Sequence, residues 1–83
     1  MGHLRQMSAR EVLRAFASFG FAIASTRGSH AKLLRVLPSG QRQTLTIPLH
    51  KQLAPGTLRA IFRQALRYIP EADLVPWFFH EDH

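Results

Sequence analysis

The spacing of apolar residues changes twice along this 83-residue chain, and these changes limit the folds that it can adopt. Near both ends, apolar residues recur every three or four positions, which is typical of a helix with one buried face. Between these segments, short apolar stretches are separated by Gly and Pro, which indicates strands joined by turns. The pattern predicts the order helix, strand, strand, strand, helix.

The first predicted helix covers residues 8–20, with the sequence SAREVLRAFASFG. Ser8 and Glu11 have the spacing of a capping box, in which two side chains satisfy the first backbone N–H groups of a helix. Gly20 suits the left-handed conformation that commonly ends a helix. The apolar stripe of this helix consists of Val12, Leu13, Phe16 and Phe19.

Three strands and a second helix are predicted after Gly20. The strands cover residues 21–26, 31–37 and 42–48. In the first strand we expect Phe21, Ile23 and Ser25 on one side. The second and third strands should form an antiparallel hairpin, because only the short turn PSGQ separates them. The second helix covers residues 57–69, and its apolar face consists of Leu58, Ile61, Phe62, Ala65, Leu66 and Ile69.

These elements predict an α+β fold of two layers, with both helices on one face of a three-stranded antiparallel sheet. The order α-β-β-β-α is that of the double-stranded-RNA-binding fold. We expect one domain over residues 1–70, of which residues 1–7 are flexible, and then an acidic and aromatic C-terminal tail over residues 71–83. Part of the aromatic run Trp77–Phe79 should fold back onto the core. The alternative for these aromatics is contact with a partner.

The composition excludes several classes of protein. The chain has no cysteine, which rules out disulfides and thiolate metal sites. No apolar run approaches the length that spans a membrane, and the N-terminus lacks the apolar core of a signal peptide. We therefore expect a cytoplasmic protein that does not contact membranes.

Basic residues are concentrated in the body of the chain. All eleven Lys and Arg lie between Arg5 and Arg67, where Glu11 is the only acid, so this segment has a formal charge of +10. The other four acids lie in the last thirteen residues. The basic body is typical of a protein that binds a polyanion, with RNA or DNA foremost.

His30 follows a turn, RGS, and begins the second strand. Gly28 allows a tight turn, and Ser29 can form hydrogen bonds with the local backbone. On an open basic face, His30 can exchange a proton with RNA while Arg27 and Lys32 hold the phosphate. Spacing alone favours the simpler interpretation of a surface histidine in a turn.

Other candidates are less specific. His50 and Lys51 follow the third strand and can contact phosphate, although a structural loop histidine is an equally good interpretation. His80 and His83 have acidic neighbours but no zinc-site spacing, so a solvated terminus is the better interpretation. A basic stripe of Arg59, Arg63 and Arg67 lies on the second helix, and RNA binding and a solvated helix face explain it equally well.

Several of these segments together resemble one family. The stretches GSHAKL, TLTIPLH and LAPGTLRAIFRQA are similar to HicA-type toxins, the mRNA interferases of bacterial HicAB toxin–antitoxin pairs. The opening SAREVLRAFASFGF also resembles the first helix of that family. The resemblance covers residues 7 to 69 and rests on the combination of glycine–serine–histidine, proline–x–histidine and glycine–threonine–leucine.

The resemblance implies a double-stranded-RNA-binding-like fold and an endoribonuclease that uses no metal or other cofactor. His30 occupies the catalytic position of the family. The implied partners are mRNA and a HicB-type antitoxin that covers the active site, with a homodimer or a hetero-oligomer with the antitoxin as the expected assembly. Two alternatives remain, namely a non-catalytic RNA-binding module and an interaction protein whose basic surface holds an acidic antitoxin.

Overall fold

The computed structural model describes residues 2–80. Its core is a three-stranded antiparallel sheet with helices on one face, which confirms the predicted fold class and the order α-β-β-β-α of the double-stranded-RNA-binding fold. In chain order the elements are β1 His3–Leu4, α1 Ala9–Ala17, β2 Ala22–Arg27, β3 His30–Val36, β4 Arg42–Pro48, α2 Pro55–Ala65, α3 Glu71–Phe78 and β5 Phe79–His80.

Helix α1 begins with the predicted capping box. The Ser8 hydroxyl accepts a hydrogen bond from the Glu11 backbone N–H at 3.1 Å, and the Glu11 carboxylate accepts one from the Ser8 backbone N–H at 2.9 Å. Val12 and Phe16 are fully buried. The regular helix ends at Ala17, and Gly20 then has a φ of +92°, which is the left-handed conformation expected of it.

The sheet has the order β2-β3-β4, and one of its faces is covered. Cross-strand partners lie on the same face of an antiparallel sheet, and side chains alternate between faces along each strand. Ala31 pairs with Ile47 and Leu33 with Leu45, and all four are buried beneath the helices. The other face, which carries His30 and the residues that alternate with this buried set, is open.

Strand β2 does not alternate as predicted. Ile23 pairs with Leu33 and Ser25 pairs with Lys32, so Ala24 is an extra residue that forms a β-bulge. Because the extra residue reverses the alternation, Ile23 lies on the helix side and Ser25 on the open side. The expectation that Ile23 and Ser25 share one side was therefore wrong.

Helix α2 is displaced towards the N-terminus from its predicted position. It begins at Pro55, a residue suited to the first turn because its missing N–H would have no partner there. It ends at Ala65 rather than Ile69, so Arg67 lies in the turn that follows and is not on the helix as predicted. Its inner face buries Leu58, Ile61, Phe62 and Ala65 against the sheet.

The C-terminal segment forms a third helix that the sequence analysis did not predict. Helix α3 buries Leu74 and Phe78, and the Phe78 ring lies 5.9 Å from that of Phe16 and 5.6 Å from that of Phe62. Part of the aromatic run therefore closes the core, as expected, while Trp77 remains 36% exposed. Pro76 and the shortness of the helix hide its periodicity in the sequence.

The two ends of the described chain meet in a small second sheet. His3 pairs with His80 and Leu4 with Phe79, so that β1 and β5 form an antiparallel pair. Met7, just beyond β1, is buried. The division at residue 70 into a domain and a tail remains a prediction, but Leu74 and Phe78 belong to the same core as α1 and α2.

Helices are short throughout the part of the chain that the structure describes. The longest, α2, has eleven residues, and none is long and apolar enough to pass through a lipid bilayer.

Candidate functional site

A two-residue turn places His30 at one end of the sheet. Arg27 and His30 are cross-strand partners, so Gly28 and Ser29 alone connect β2 to β3. Gly28 has a φ of +58°, and no atom lies within 4 Å of where a Cβ would be, so conformation rather than space favours glycine there. The Ser29 carbonyl accepts a hydrogen bond from the Leu49 N–H, which ties the turn to the end of β4.

The histidine side chain lies on the open face of the sheet. Ala31 and Leu33 are buried beneath the helices, and alternation along β3 therefore puts His30 and Lys32 on the opposite side. Both side chains are exposed. A catalytic role for His30 requires this orientation, because RNA can approach only an uncovered face.

A shallow hollow surrounds His30. It has a volume of about 450 Å³, and its lining combines cations with hydroxyl groups. Two of the lining residues, Ser25 and Thr46, are cross-strand partners of Lys32 and were not singled out from the sequence. The lining residues are Ser25, Thr26, Arg27, His30, Ala31, Lys32 and Thr46, with no acid among them.

The two cations of the hollow, Arg27 and Lys32, have no side-chain partner in the part of the chain that the structure describes. Neither Arg27 nor Lys32 forms a side-chain hydrogen bond or an ion pair with any residue in the range 2–80, and both are exposed. Their charge is thus available to an anion. A phosphate held between them would lie next to an imidazole, which is the arrangement needed for proton transfer at a phosphodiester.

Ser29 contacts the imidazole directly. Its hydroxyl oxygen lies 3.4 Å from Nδ1 of His30, longer than a usual hydrogen bond, and the pair is exposed. Among residues 2–80, Nε2 of His30 forms no hydrogen bond.

His50 and Lys51 do not join this hollow. They line a separate hollow of about 500 Å³ between the start of α1 and the loop after β4, together with Arg10 and Leu13. The His50 carbonyl accepts a hydrogen bond from the Ala9 N–H at 3.1 Å, so its backbone helps to anchor α1. The structure thus separates the two histidines that the sequence analysis proposed for RNA contact.

The arginines of the predicted helix stripe also lie outside the His30 hollow. Arg59 lines a hollow beside the N-terminal segment, and Arg63 is exposed on α2. Arg67 donates to the Gln64 carbonyl at 3.0 Å and to the Thr44 carbonyl at 3.4 Å. Arg67 is therefore partly committed to holding α2 against β4.

Arg35 is the basic residue whose role the sequence analysis missed. Its guanidinium donates two hydrogen bonds to the buried Gln43 side chain, at 2.8 and 2.6 Å, and one each to the carbonyls of Phe19 and Tyr68. It also lies 4.7 Å from the centre of the Phe21 ring. Arg35 thus joins the ends of α1 and α2 to the sheet and is not free to bind RNA.

The α-β-β-β-α domain, with His30 exposed on the open face of its sheet, is matched by a known protein family. The family described as "HicA toxin of bacterial toxin-antitoxin" matches residues 9–66, well over half of the chain. This chain belongs to the HicA toxin family. No curated protein and no solved structure matches it significantly.

The HicA match covers α1, the three central strands and α2, and so includes the whole His30 hollow. Membership makes the protein the toxin of a toxin–antitoxin pair, with an antitoxin as its partner. Helix α3 and the β1–β5 pair lie outside the matched residues.

Proposed function

We propose that this HicA-family toxin is a metal-independent endoribonuclease that cleaves mRNA and uses His30 as a general acid or base. The observation that carries the proposal is the placement of His30, exposed on the open face beside Arg27 and Lys32, two cations without a side-chain partner among the described residues. The basic hollow around His30, which contains no acid, supports a catalytic role over the simpler interpretation of a surface histidine in a turn.

The chemistry requires one proton to leave and one to arrive. Nε2 of His30 takes the proton from a ribose 2′-hydroxyl, and the resulting oxygen attacks the adjacent phosphorus. The bond from phosphorus to the 5′-oxygen breaks, and that oxygen takes up a proton from the imidazolium or from water. The products are a 2′,3′-cyclic phosphate and a 5′-hydroxyl end.

The cations of the hollow supply binding and charge stabilisation. Arg27 and Lys32 hold the phosphate and stabilise the negative charge that grows on its oxygens during attack. In-line attack needs a flexible sugar–phosphate backbone, so single-stranded or unpaired mRNA is the preferred substrate. Residues outside the hollow, namely His50, Lys51, Arg59, Arg63 and Arg67, would extend the binding surface for longer RNA.

A HicB-type antitoxin would inhibit the enzyme by covering the open face. The hollow opens onto the uncovered face of the sheet, and Arg27, His30 and Lys32 are exposed there, so a protein that covers this face excludes RNA without any change in the fold of the toxin. We place the activity in the cytoplasm, where mRNA is found.

The decisive experiment compares His30→Ala with His50→Ala. Both residues are exposed histidines of the same basic chain, but only His30 lines the hollow. We expect His30→Ala to reduce cleavage of single-stranded RNA by about 10²- to 10⁴-fold, the usual contribution of general acid–base catalysis, and to remove toxicity in cells. His50→Ala should retain most of its activity.

The chemistry of the product ends provides an independent test. We expect 2′,3′-cyclic phosphate ends in the presence of a metal chelator. Products with 5′-phosphate ends, or full activity of His30→Ala, would contradict the proposed mechanism.

A non-catalytic RNA-binding module is the second candidate. It is favoured by the lining of the hollow, which contains one imidazole and no carboxyl group, whereas cleavage needs one group to accept a proton and one to donate it. In that case the wild-type protein binds RNA with a steep salt dependence and leaves it intact. The cleavage assay on the wild-type protein therefore separates the two candidates.

A further inference from the structure

The two outer edges of the central sheet, β4 and β2, differ in whether side chains occupy their outward backbone groups. At the β4 edge, the Gln64 side chain accepts a hydrogen bond from the Thr46 backbone N–H at 2.9 Å and donates one to the Thr46 carbonyl at 3.3 Å. Arg67 donates to the Thr44 carbonyl nearby. These side chains occupy backbone groups that another strand would need, so α2 protects this edge.

The β2 edge has no such protection. All six residues of β2 are exposed, and the strand makes no hydrogen bond to any described residue beyond those that join it to β3. Half of the backbone donors and acceptors of an edge strand point away from its sheet. The stretch Ala22–Arg27 is therefore the place in the central sheet where another strand can be added.

A groove runs beside this free edge, between β2 and α1. Its volume is about 430 Å³; Leu13, Phe21, Ile23 and Leu33 form an apolar floor, and Arg10 and Arg14 lie on its α1 side. The β-bulge at Ala24 keeps Ile23 on the groove side, where it is 53% exposed. A strand added to β2 would present every second side chain to this groove.

We propose that β2 binds an extended strand of the antitoxin by strand addition, with apolar side chains entering the groove and acidic side chains near Arg10 and Arg14. This inference rests on the proposed pairing with an antitoxin but does not require RNA cleavage. Main-chain hydrogen bonds would supply much of the affinity, and the groove with its arginines would select the sequence of the strand.

The positive charge beside the groove favours an acidic antitoxin strand over a second copy of the chain as the occupant of β2. Two copies joined through β2 in an antiparallel pair would bring the α1 side of one groove, with Arg10 and Arg14, towards the same side of the other. Glu11 is the only acid before residue 71, so the copies offer little to offset this repulsion. An acidic strand has the opposite charge and avoids it.

The location explains how such binding would inhibit the toxin. Arg27 ends β2 and is the cross-strand partner of His30, so a strand paired along the whole of β2 borders the His30 hollow. The bound antitoxin would then be anchored beside the hollow that it must cover.

The test compares Ile23→Glu with Val36→Glu. The two residues are β-branched strand residues of nearly equal exposure, 53% and 54%, but Ile23 lies in the groove and Val36 lies at the far end of β3. Each variant is tested against the antitoxin that neutralises the wild-type toxin, and three quantities are measured: the Kd, growth on co-expression, and amide hydrogen exchange of the toxin.

We expect Ile23→Glu to weaken antitoxin binding by at least about tenfold, because it adds a carboxylate to the apolar floor that faces an acidic strand. The variant should remain toxic alone and escape neutralisation, whereas Val36→Glu should be neutralised like the wild type. In the wild-type complex, amides of residues 22–27 should gain protection from exchange.

Two results would overturn the inference. One is wild-type affinity of Ile23→Glu together with unchanged exchange over residues 22–27. The other is protection of these amides in the toxin alone as its concentration rises, which would assign β2 to a second copy. If the wild-type toxin does not cleave RNA, the proposed function fails, but binding and exchange still test this surface.

Discussion

Lys32 and Arg35 lie three positions apart on β3 but on opposite faces of the sheet. Lys32 faces the open side and has no side-chain partner among residues 2–80. Arg35 faces the helices, and its guanidinium makes four hydrogen bonds that join α1, α2 and β4. The sequence presents both as members of one basic segment, yet only the first has charge available to a ligand.

The basic residues of this protein fall into two groups, those that stabilise the fold and those whose charge is available to a ligand. A cation whose donors are all used by buried or half-buried acceptors stabilises the fold, and removing it leaves those acceptors without partners. A cation without protein partners contributes little to stability and is available for phosphate. Counting positive charges cannot make this distinction.

The largest expected effect is the loss of stability in Arg35→Ala. The change leaves the Gln43 side chain and the carbonyls of Phe19 and Tyr68 without their donor and removes the contact with Phe21. We expect the free energy of unfolding to fall by about 3 kcal/mol, measured by urea denaturation. A double variant, Arg35→Met with Gln43→Leu, should recover part of that loss. Unchanged stability of Arg35→Ala together with weakened RNA binding would show that Arg35 binds RNA and does not stabilise the fold.

The next effect concerns RNA affinity in the double variant Arg27→Ala with Lys32→Ala. Removal of two phosphate contacts should weaken binding of single-stranded RNA by about tenfold at low salt and reduce the salt slope by about 1.4. Stability should change by less than about 0.5 kcal/mol.

Arg42→Ala provides a matched control for Lys32→Ala. Arg42 is exposed on the same open face but pairs with Val36 at the far end of the hairpin. Arg42→Ala removes the same charge as Lys32→Ala but leaves the hollow intact, so we expect it to change RNA affinity less than Lys32→Ala does. Equal losses from Arg42→Ala and Lys32→Ala would mean that overall charge, not the hollow, binds the RNA.

A smaller effect is expected for Gln64, an uncharged side chain that stabilises the fold. Gln64→Ala removes both hydrogen bonds to Thr46 and should lower the free energy of unfolding by about 1 kcal/mol. RNA cleavage should change little, because the pairing of Thr46 with Lys32 in the sheet still holds Thr46 in the lining of the His30 hollow. Thermal denaturation and the cleavage assay together check both expectations.

The smallest effect concerns Glu11, a charged residue that is exposed and yet has a partner. Hydrogen bonds from the Ser8 backbone and side chain hold the pKa of Glu11 below its ordinary value, with a further contribution from Arg5 and Arg14. Because the folded state lowers this pKa, the stabilisation is present above the ordinary glutamate pKa and is lost as the pH falls through the lowered value.

Comparison of the Tm of Glu11→Gln and of the wild type across this acid range tests the assignment. The wild type should lose slightly more stability on acidification, since glutamine keeps its amide oxygen as an acceptor but does not titrate. Identical pH profiles would show that the capping carboxylate contributes nothing beyond its geometry.

Local patterns predicted much of the fold. The capping box at Ser8, the conformation of Gly20 and the β3–β4 hairpin were all confirmed, because each depends on residues close together in sequence. The bulge at Ala24 was missed, since an extra residue in a strand leaves no mark on an apolar pattern. The β1–β5 pair joins His3 to His80, and two-residue strands that far apart have no signal in the sequence.

The residues of the candidate site also divide into those that the sequence predicted and those that only the structure identified. Residues 27–32 were singled out from the sequence as a unit, and the structure places Arg27, His30 and Lys32 together in one hollow. Ser25 and Thr46 could be added only once the bulge and the strand register were known. His50 and the helix arginines were grouped with His30 by charge alone, and the structure places them elsewhere.

The sequence specifies the order of α1, β2, β3, β4 and α2, the capping box that begins α1, and the tight turn that precedes His30. These features arise from interactions among residues a few positions apart, which any chain with this pattern would form. It could not determine which face of β3 would be open, because Leu33, Leu34 and Val36 make both faces apolar. The packing of α1 and α2 over Ala31 and Leu33 decided that, and so exposed His30.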